Sequence, residues 1–167
     1  MFTVGILTMS DKGSRGERID VSGDQVMRDI VTGALDCRVV KYRMIPDETD
    51  IISRTLTEWA DEGTVDVILT TGGTGLAVRD VTPEATLSII DREVPGIPEA
   101  VRINTLKKTP MAMLSRAVAG VRKGTLIINM PGSPKAVREC LEILVPIIPH
   151  AVDIMKGRIT EHENKSS

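Results

Sequence analysis

Val65-Asp66-Val67-Ile68-Leu69-Thr70-Thr71-Gly72-Gly73-Thr74-Gly75 is the segment on which the fold turns. Val65 to Leu69 is a short apolar run of the kind that forms a buried strand, and the glycines directly behind it end that strand in a loop. Toward the N-terminus, Phe2, Val4, Ile6 and Leu7 read as a first strand ending at Ser10-Asp11, followed by a long polar loop to Ser22. A helix begins at Gly23, because Val26, Met27, Ile30, Val31 and Ala34 recur at helical spacing and Ser22 stands in capping-box relation to Gln25. Val39, Val40, Tyr42 and Met44 form a second strand stopped by Pro46, and Ile51, Ile52, Thr55, Leu56, Trp59 and Ala60 make the next helical stripe. The order β-α-β-α-β predicts a mostly parallel sheet with right-handed crossovers and helices on both faces, an α/β fold in three layers.

Toward the C-terminus the pattern predicts a helix from Pro83 to Asp91 with Thr82 as its N-cap, and another near Glu99 to Lys107. Ala117–Val121 and Thr125–Met130 flank Arg122-Lys123-Gly124 as a hairpin, which adds one antiparallel strand. Helices over Pro134–Leu144 and Pro146–Lys156 close the pattern. Residues 1–158 are expected to form one domain and 159–167 a polar tail.

Composition narrows the function. At 167 residues the chain is long enough to bury roughly 70% of its unfolded surface in one core. With 21 Lys and Arg against 23 Asp and Glu it carries a formal charge of −2, so it lacks the broad positive field that holds nucleic acid or an anionic membrane. Phe2, Tyr42 and Trp59 are the only aromatics, too few for a base-stacking platform. Cys37 and Cys140 lie far apart without zinc-ligand spacing and read as small buried hydrophobes. The apolar run Phe2–Met9 is too short for a membrane span and has no basic leader, so a cytoplasmic location is expected. A small-molecule partner fits this balance best.

In open α/β sheets ligands bind beyond the carboxyl ends of the strands, where four segments should converge. Thr71-Gly72-Gly73-Thr74-Gly75 can present bare backbone N–H groups to an anion, although a tight strand-to-helix turn explains the glycines equally well. It is not a Walker loop, because no Gly-Lys-Ser/Thr follows. Asp80 in Arg79-Asp80-Val81-Thr82-Pro83 suits Mg²⁺ held against a polyphosphate, or else a turn. Asp47 in Pro46-Asp47-Glu48 follows a strand and precedes a helix, where an N-cap is the plain alternative. Asn129-Met130-Pro131-Gly132-Ser133-Pro134 runs from a strand into a helix capped by Ser133, whose N-terminus suits a phosphate. The loop from Ser10 to Glu17, continuing to Asp20, adds hydroxyls and the cations Lys12, Arg15 and Arg18, or is simply a solvated loop.

Together with Met113-Leu114-Ser115-Arg116, these motifs resemble in order those of the molybdopterin adenylyltransferase family, which includes bacterial Mog and MoaB-like proteins and the gephyrin G domain. The resemblance runs from about Val4 to Gly157. It implies a three-layer α-β-α molybdopterin-binding fold, a homotrimer, and transfer of AMP from Mg-ATP to molybdopterin with release of pyrophosphate. It further implies that Asp47 and Asp80 are the essential carboxylates and Mg²⁺ ligands. Ser10, Asp11, Thr71, Gly72, Gly73, Thr74, Gly75, Ser115, Asn129, Gly132 and Ser133 would bind pterin or nucleotide. The adenylylated product would pass to a molybdenum-insertion protein. Val78 departs from the proline or arginine of several relatives, and the C-terminal region lacks an insertion that some Mog proteins carry. A non-catalytic molybdopterin-binding or scaffolding MoaB-like protein is the alternative, and retention of both aspartates leans toward the enzyme. A nucleotide hydrolase is disfavoured, since His150 and His162 both stand near the C-terminus and no water-activating group is evident.

Overall fold

Adjacent residues on the central strands face opposite ways, and this alternation produces the layers. The computed structural model describes residues 1–17 and 23–159. Among them, strands β1 (Phe2–Met9), β2 (Cys37–Ile45), β3 (Val67–Thr71), β4 (Arg92–Glu93), β5 (Ala119–Arg122) and β6 (Thr125–Met130) form one sheet in the order β2-β1-β3-β6-β5-β4. β3 sits between β1 and β6 and runs parallel to both, with Leu69 level with Ile6 on one side and Ile128 on the other. β5 is the antiparallel member, paired with β6 and with the short β4.

Ile6, Leu69 and Ile128 point to the face covered by α2 (Gly23–Ala34), α6 (Pro134–Leu144) and α7 (Ile148–Met155), where they pack with Met27, Val31, Leu141 and Val152. Their neighbours Leu7, Ile68 and Ile127 face the other way and pack under α3 (Thr49–Asp61) and α4 (Thr82–Leu87) against Ile52, Leu56 and Trp59. Strands buried on both faces read as continuous apolar runs, which is why Val65–Leu69 carries no alternation. α5 (Gly96–Leu106) and a 3₁₀ turn over Pro110–Leu114 lie between β4 and β5. This is the expected three-layer α/β architecture.

Several local expectations are corrected. The loop after β1 is not wholly irregular: Asp11–Ser14 forms a helical turn, α1, whose N-cap Ser10 accepts a hydrogen bond from the Gly13 N–H at 3.0 Å. Thr82 is not an N-cap. Val81 holds that position without a side-chain cap, and the Thr82 hydroxyl donates instead to the Gly72 carbonyl at 3.0 Å. α4 stops at Leu87 because the chain must turn into β4, where the Asp91 and Val94 N–H groups each bond β5 carbonyls at 2.8 Å. Asp47 likewise does not cap α3, whose N-cap is Glu48. Cys140 is buried but Cys37, on edge strand β2, is only half-buried. The expected cap Ser22, the loop residue Asp20 and the tail from Thr160 lie outside the described residues.

Leu56 and Leu141 are fully buried on opposite faces of the sheet. Leu56→Ala and Leu141→Ala should each lower the unfolding free energy by about 2–5 kcal/mol. Because the two sites share no partners, the double variant should lose the sum to within about 0.5 kcal/mol in urea titrations.

Candidate active site

The carboxyl ends of β1, β3 and β6 meet at Gly72 and Gly73. Both adopt positive φ, 98° and 66°, and a Cβ on Gly72 would lie 2.5 Å from the Met9 carbonyl oxygen. An L side chain disfavours that conformation, and at Gly72 the backbone of β1 also leaves no room for one. The Gly72 N–H bonds the Met130 carbonyl at 3.1 Å and the Thr71 hydroxyl bonds the Pro131 carbonyl at 2.7 Å, which ties the loop to the end of β6. Thr82 closes the other side, its N–H reaching the Gly73 carbonyl at 3.1 Å. The glycine loop is therefore held at three strand ends before any ligand arrives.

Asp47 and Asp80 both border this knot, as the sequence predicts. The Asp47 Oδ2 accepts from the Asp11 N–H at 3.1 Å, and the Asp11 Oδ1 accepts from the Asp47 N–H at 3.0 Å. Arg79 then grips the Asp11 carboxylate with both Nε and Nη2, at 2.9 and 2.7 Å. That hydrogen-bonded guanidinium holds the Asp11 carboxyl below its usual range. Asp47 behaves oppositely. Burial pushes its carboxyl up, the Asp11 N–H partly offsets this, and the charges of Asp11 and Asp80 push it up further. The Asp80 Oδ2 accepts from the Ala77 N–H at 2.9 Å within its own loop.

Two cavities join along this line. One, of about 600 Å³, is lined largely by apolar groups from Ile97, Val101, Met111 and Leu114, with Ser115, Thr74 and Gly75 among its polar members. The other, of about 460 Å³, is the more polar of the two and is lined by Ser10, Asp11, Lys12, Asp47, Ser133 and Pro134. Gly72, Gly73, Asp80 and Gly132 line both. Ser115 therefore lines the larger cavity and Ser133 the other, and a ligand that touches both, as the family resemblance implies, would have to span the shared wall. Ser133 caps α6 as expected, accepting from the Ala136 N–H at 3.2 Å. Among the described residues no cluster of three or more His, Cys, Asp or Glu is arranged to hold a metal. Asp47 and Asp80 on one crevice wall instead suit Mg²⁺ that arrives with a nucleotide, since Mg²⁺ takes one or two carboxylates and completes its shell with phosphate and water. The crowding of negative charge around half-buried Asp47 favours a cation there.

Asn129 lines the larger cavity, yet its carboxamide is committed to the core. Nδ2 donates to the Thr70 and Thr86 hydroxyls at 3.1 and 3.0 Å, and Oδ1 accepts from the Val118 N–H at 3.3 Å. Three arginines carry no site role in the sequence reading: Arg79 and Arg116, quoted only as members of their motifs, and Arg102, which donates to the Ser115 and Ala117 carbonyls at 3.3 and 3.0 Å. Arg79 and Arg116 could have been found from their motifs, whereas Arg102, inside α5, had no local signal.

With this geometry in place, comparison with known proteins is informative. The family model described as "Probable molybdopterin binding domain" matches residues 5–150. The molybdopterin adenylyltransferase of Helicobacter pylori (strain J99) is 41% identical over 163 residues, which cover 98% of this chain and 93% of that protein. That of Escherichia coli K12 is 46% identical over 140 residues, covering 83% and 71%. The crystal structure of the molybdopterin biosynthesis enzyme MoaB from Thermus thermophilus matches with a TM-score of 0.87 at 54% identity, covering 94% of this chain and 98% of that one.

Asn129→Ala should destabilise the protein by about 1–3 kcal/mol for the buried groups it leaves unpaired. Chemical denaturation checks this. A loss of activity at unchanged stability would instead mark Asn129 as a ligand-binding residue.

Proposed function

The chain belongs to the molybdopterin-binding domain family and acts in molybdenum cofactor biosynthesis as a molybdopterin adenylyltransferase; we propose that it works by seating its two substrates in the two joined cavities. The observation that carries this reading is the shared wall of Gly72, Gly73, Asp80 and Gly132, which brings occupants of the two cavities into contact. Molybdopterin occupies the larger cavity beside Ser115, with its phosphate turned toward Gly132 and Ser133 at the N-terminus of α6, where helix N–H groups favour an anion. The triphosphate of ATP lies in the more polar crevice against Asp47 and Asp80.

A phosphate oxygen of molybdopterin attacks the α-phosphorus of ATP, the bond from that phosphorus to the β-phosphate oxygen breaks, and pyrophosphate leaves with the electron pair. Such a transfer needs alignment and charge neutralisation rather than a protein nucleophile. When bound through Asp47 and Asp80, Mg²⁺ would offset the negative charge gathered on the phosphates. The backbone around Gly72 and Gly73 fixes the reacting groups in line. Ser10 and Asp11 serve less directly, Ser10 by capping α1 and Asp11 by holding the Asp47 backbone. Asp80 and the glycine loop carry the remaining contacts to substrate.

Incubation of the purified protein with molybdopterin and Mg-ATP should yield adenylylated pterin and pyrophosphate. Asp80→Asn should abolish product while the fold survives. Asp47→Ala should keep molybdopterin binding but lose product, because the pterin contacts lie on groups it leaves in place. Pterin binding with no product from the unaltered chain would favour the non-catalytic reading, and equal loss of pterin binding in Asp47→Ala would move Asp47 into the pterin site.

The homotrimer is also proposed, supported by apolar side chains left in water beside the larger cavity. Val78 is 95% exposed, Met113 66%, Leu76 65% and Met111 62% in the isolated chain. Leu76 and Val78 stand on one segment and Met111 and Met113 on another, and both segments border the larger cavity, which fits an association site there. Light scattering should give about 54 kDa, three times the 18.1 kDa chain. A monomer mass at micromolar concentration would reject the assembly. Among the described residues no helix is long and apolar enough to cross a membrane.

A further inference from the structure

Arg116 makes contacts that neither Ser115 beside it nor the two aspartates explain. It follows the 3₁₀ turn and enters the strap leading to β5, and its own N–H bonds the Thr74 carbonyl at 2.9 Å. From there its guanidinium crosses to the loop Gly75–Asp80. Nε donates to the Gly75 carbonyl at 2.8 Å and Nη2 to the Asp80 carbonyl at 2.6 Å. Nη1 pairs with the Glu84 carboxylate in the first turn of α4. The two carbonyls are the first and last of the loop, so one planar group closes its base while Glu84 fixes the plane of that group.

The loop has a second internal tie. The Ala77 N–H donates to the Asp80 Oδ2 and the Asp80 N–H to the Ala77 carbonyl, both at 2.9 Å. A Cβ on Gly75 would lie only 2.8 Å from Asp80 Oδ2, so the carboxylate rests against the start of the loop. Spreading the loop base would therefore move that carboxylate. The base is held beside the larger cavity, and on the far side Arg79 ties the same loop to Asp11 in the wall of the second.

We propose that Arg116 is a positioning residue for adenylyl transfer, its guanidinium closing the Gly75–Asp80 loop so that the Asp80 carboxylate keeps its place at the junction of the two cavities. This rests on the role given to Asp80 above. Lysine cannot replace the group, because a single ammonium lacks the planar fork that serves two carbonyls and a carboxylate together. The strap that carries Ser115 keeps its own ties, from Arg102 to the Ser115 and Ala117 carbonyls and from the Arg116 N–H to the Thr74 carbonyl, so the guanidinium acts on the loop of Asp80.

The test compares the full-length protein with Arg116→Lys, Arg116→Gln and, as a control on the third arm alone, Glu84→Gln. Arg116→Lys should lower kcat about 100-fold, the scale of loss when a reacting group is displaced by an ångström. Glu84→Gln should cost less than roughly tenfold, since both loop carbonyls stay bonded. Three readouts do not depend on turnover. Amide hydrogen exchange at Leu76–Asp80 should accelerate in Arg116→Lys, and the Mg²⁺ concentration needed to bind α,β-methylene-ATP should rise, each by roughly tenfold as charge-assisted bonds are lost. Molybdopterin affinity should stay near that of the unaltered chain. Added guanidinium ion should restore part of the kcat lost in Arg116→Gln.

Unaltered kcat, exchange and Mg²⁺ requirement in Arg116→Lys would overturn the proposal. So would a loss of molybdopterin binding equal to the loss of nucleotide binding, or loss of the cooperative thermal transition in both Arg116 variants, which would make Arg116 a folding element. If the unaltered chain forms no adenylylated pterin, the proposed arrangement of substrates fails by itself. Hydrogen exchange and binding of the ATP analogue then still decide the role of Arg116.

Discussion

The close approach of Gly72 to the Met9 carbonyl is the contact on which the site depends. It brings the end of β3 against the end of β1, and the Gly72 N–H to Met130 carbonyl bond adds the end of β6. Three strands are thereby fixed at one point, with a backbone conformation that only glycine adopts without strain. The shared wall of the two cavities is built from this knot and from Gly132 beside it. Both aspartates given to the chemistry are referred to it: Asp47 lies against Gly73, and Asp80 lies against Gly75.

Charge is distributed around the knot in two ways. Asp11 and Arg79 form a bidentate pair that supports the Asp47 backbone, while Arg116 and Glu84 pair beneath the adjoining loop. Both pairs are partly exposed, and the value of such pairs lies in geometry rather than in large contributions to stability. Asp47 is left half-buried, its carboxyl pushed up by its surroundings, without an ion pair of its own. A carboxylate in that condition is a better partner for an incoming divalent ion than one already neutralised by arginine. The contrast between Asp11 and Asp47, neighbours with opposite shifts, agrees with the division of roles proposed for them.

Much of the fold was legible because strand and helix periodicities are local. Phe2–Met9, Gly23–Ala34 and Pro134–Leu144 announce themselves by apolar spacing and by their breakers, and the structure places all three at those bounds. β4 escaped notice because two charged residues, Arg92 and Glu93, carry no apolar pattern and form a strand only by bonding β5. Thr82 looked like a cap because threonine before Pro83 fits one, yet the Gly72 carbonyl competed for its hydroxyl. Asn129 looked like a ligand contact because it ends a strand beside glycine and serine. Its partners Thr70 and Thr86 lie 59 and 43 residues away, and no local pattern reveals them.

The sequence by itself determined the α/β alternation and the positions of the four loop segments, because side-chain type and spacing act over a few residues. Spacing alone left Asp47 and Asp80 open to a cap and a turn, and the family resemblance singled them out. Only the tertiary structure decided that Ser115 and Ser133 face different cavities, that Asp11 supports Asp47, and that Arg116 closes the loop of Asp80. Those assignments depend on which strand ends become neighbours. The burial of Leu7, Ile68 and Ile127 on one face and of Ile6, Leu69 and Ile128 on the other fixes that through the whole core.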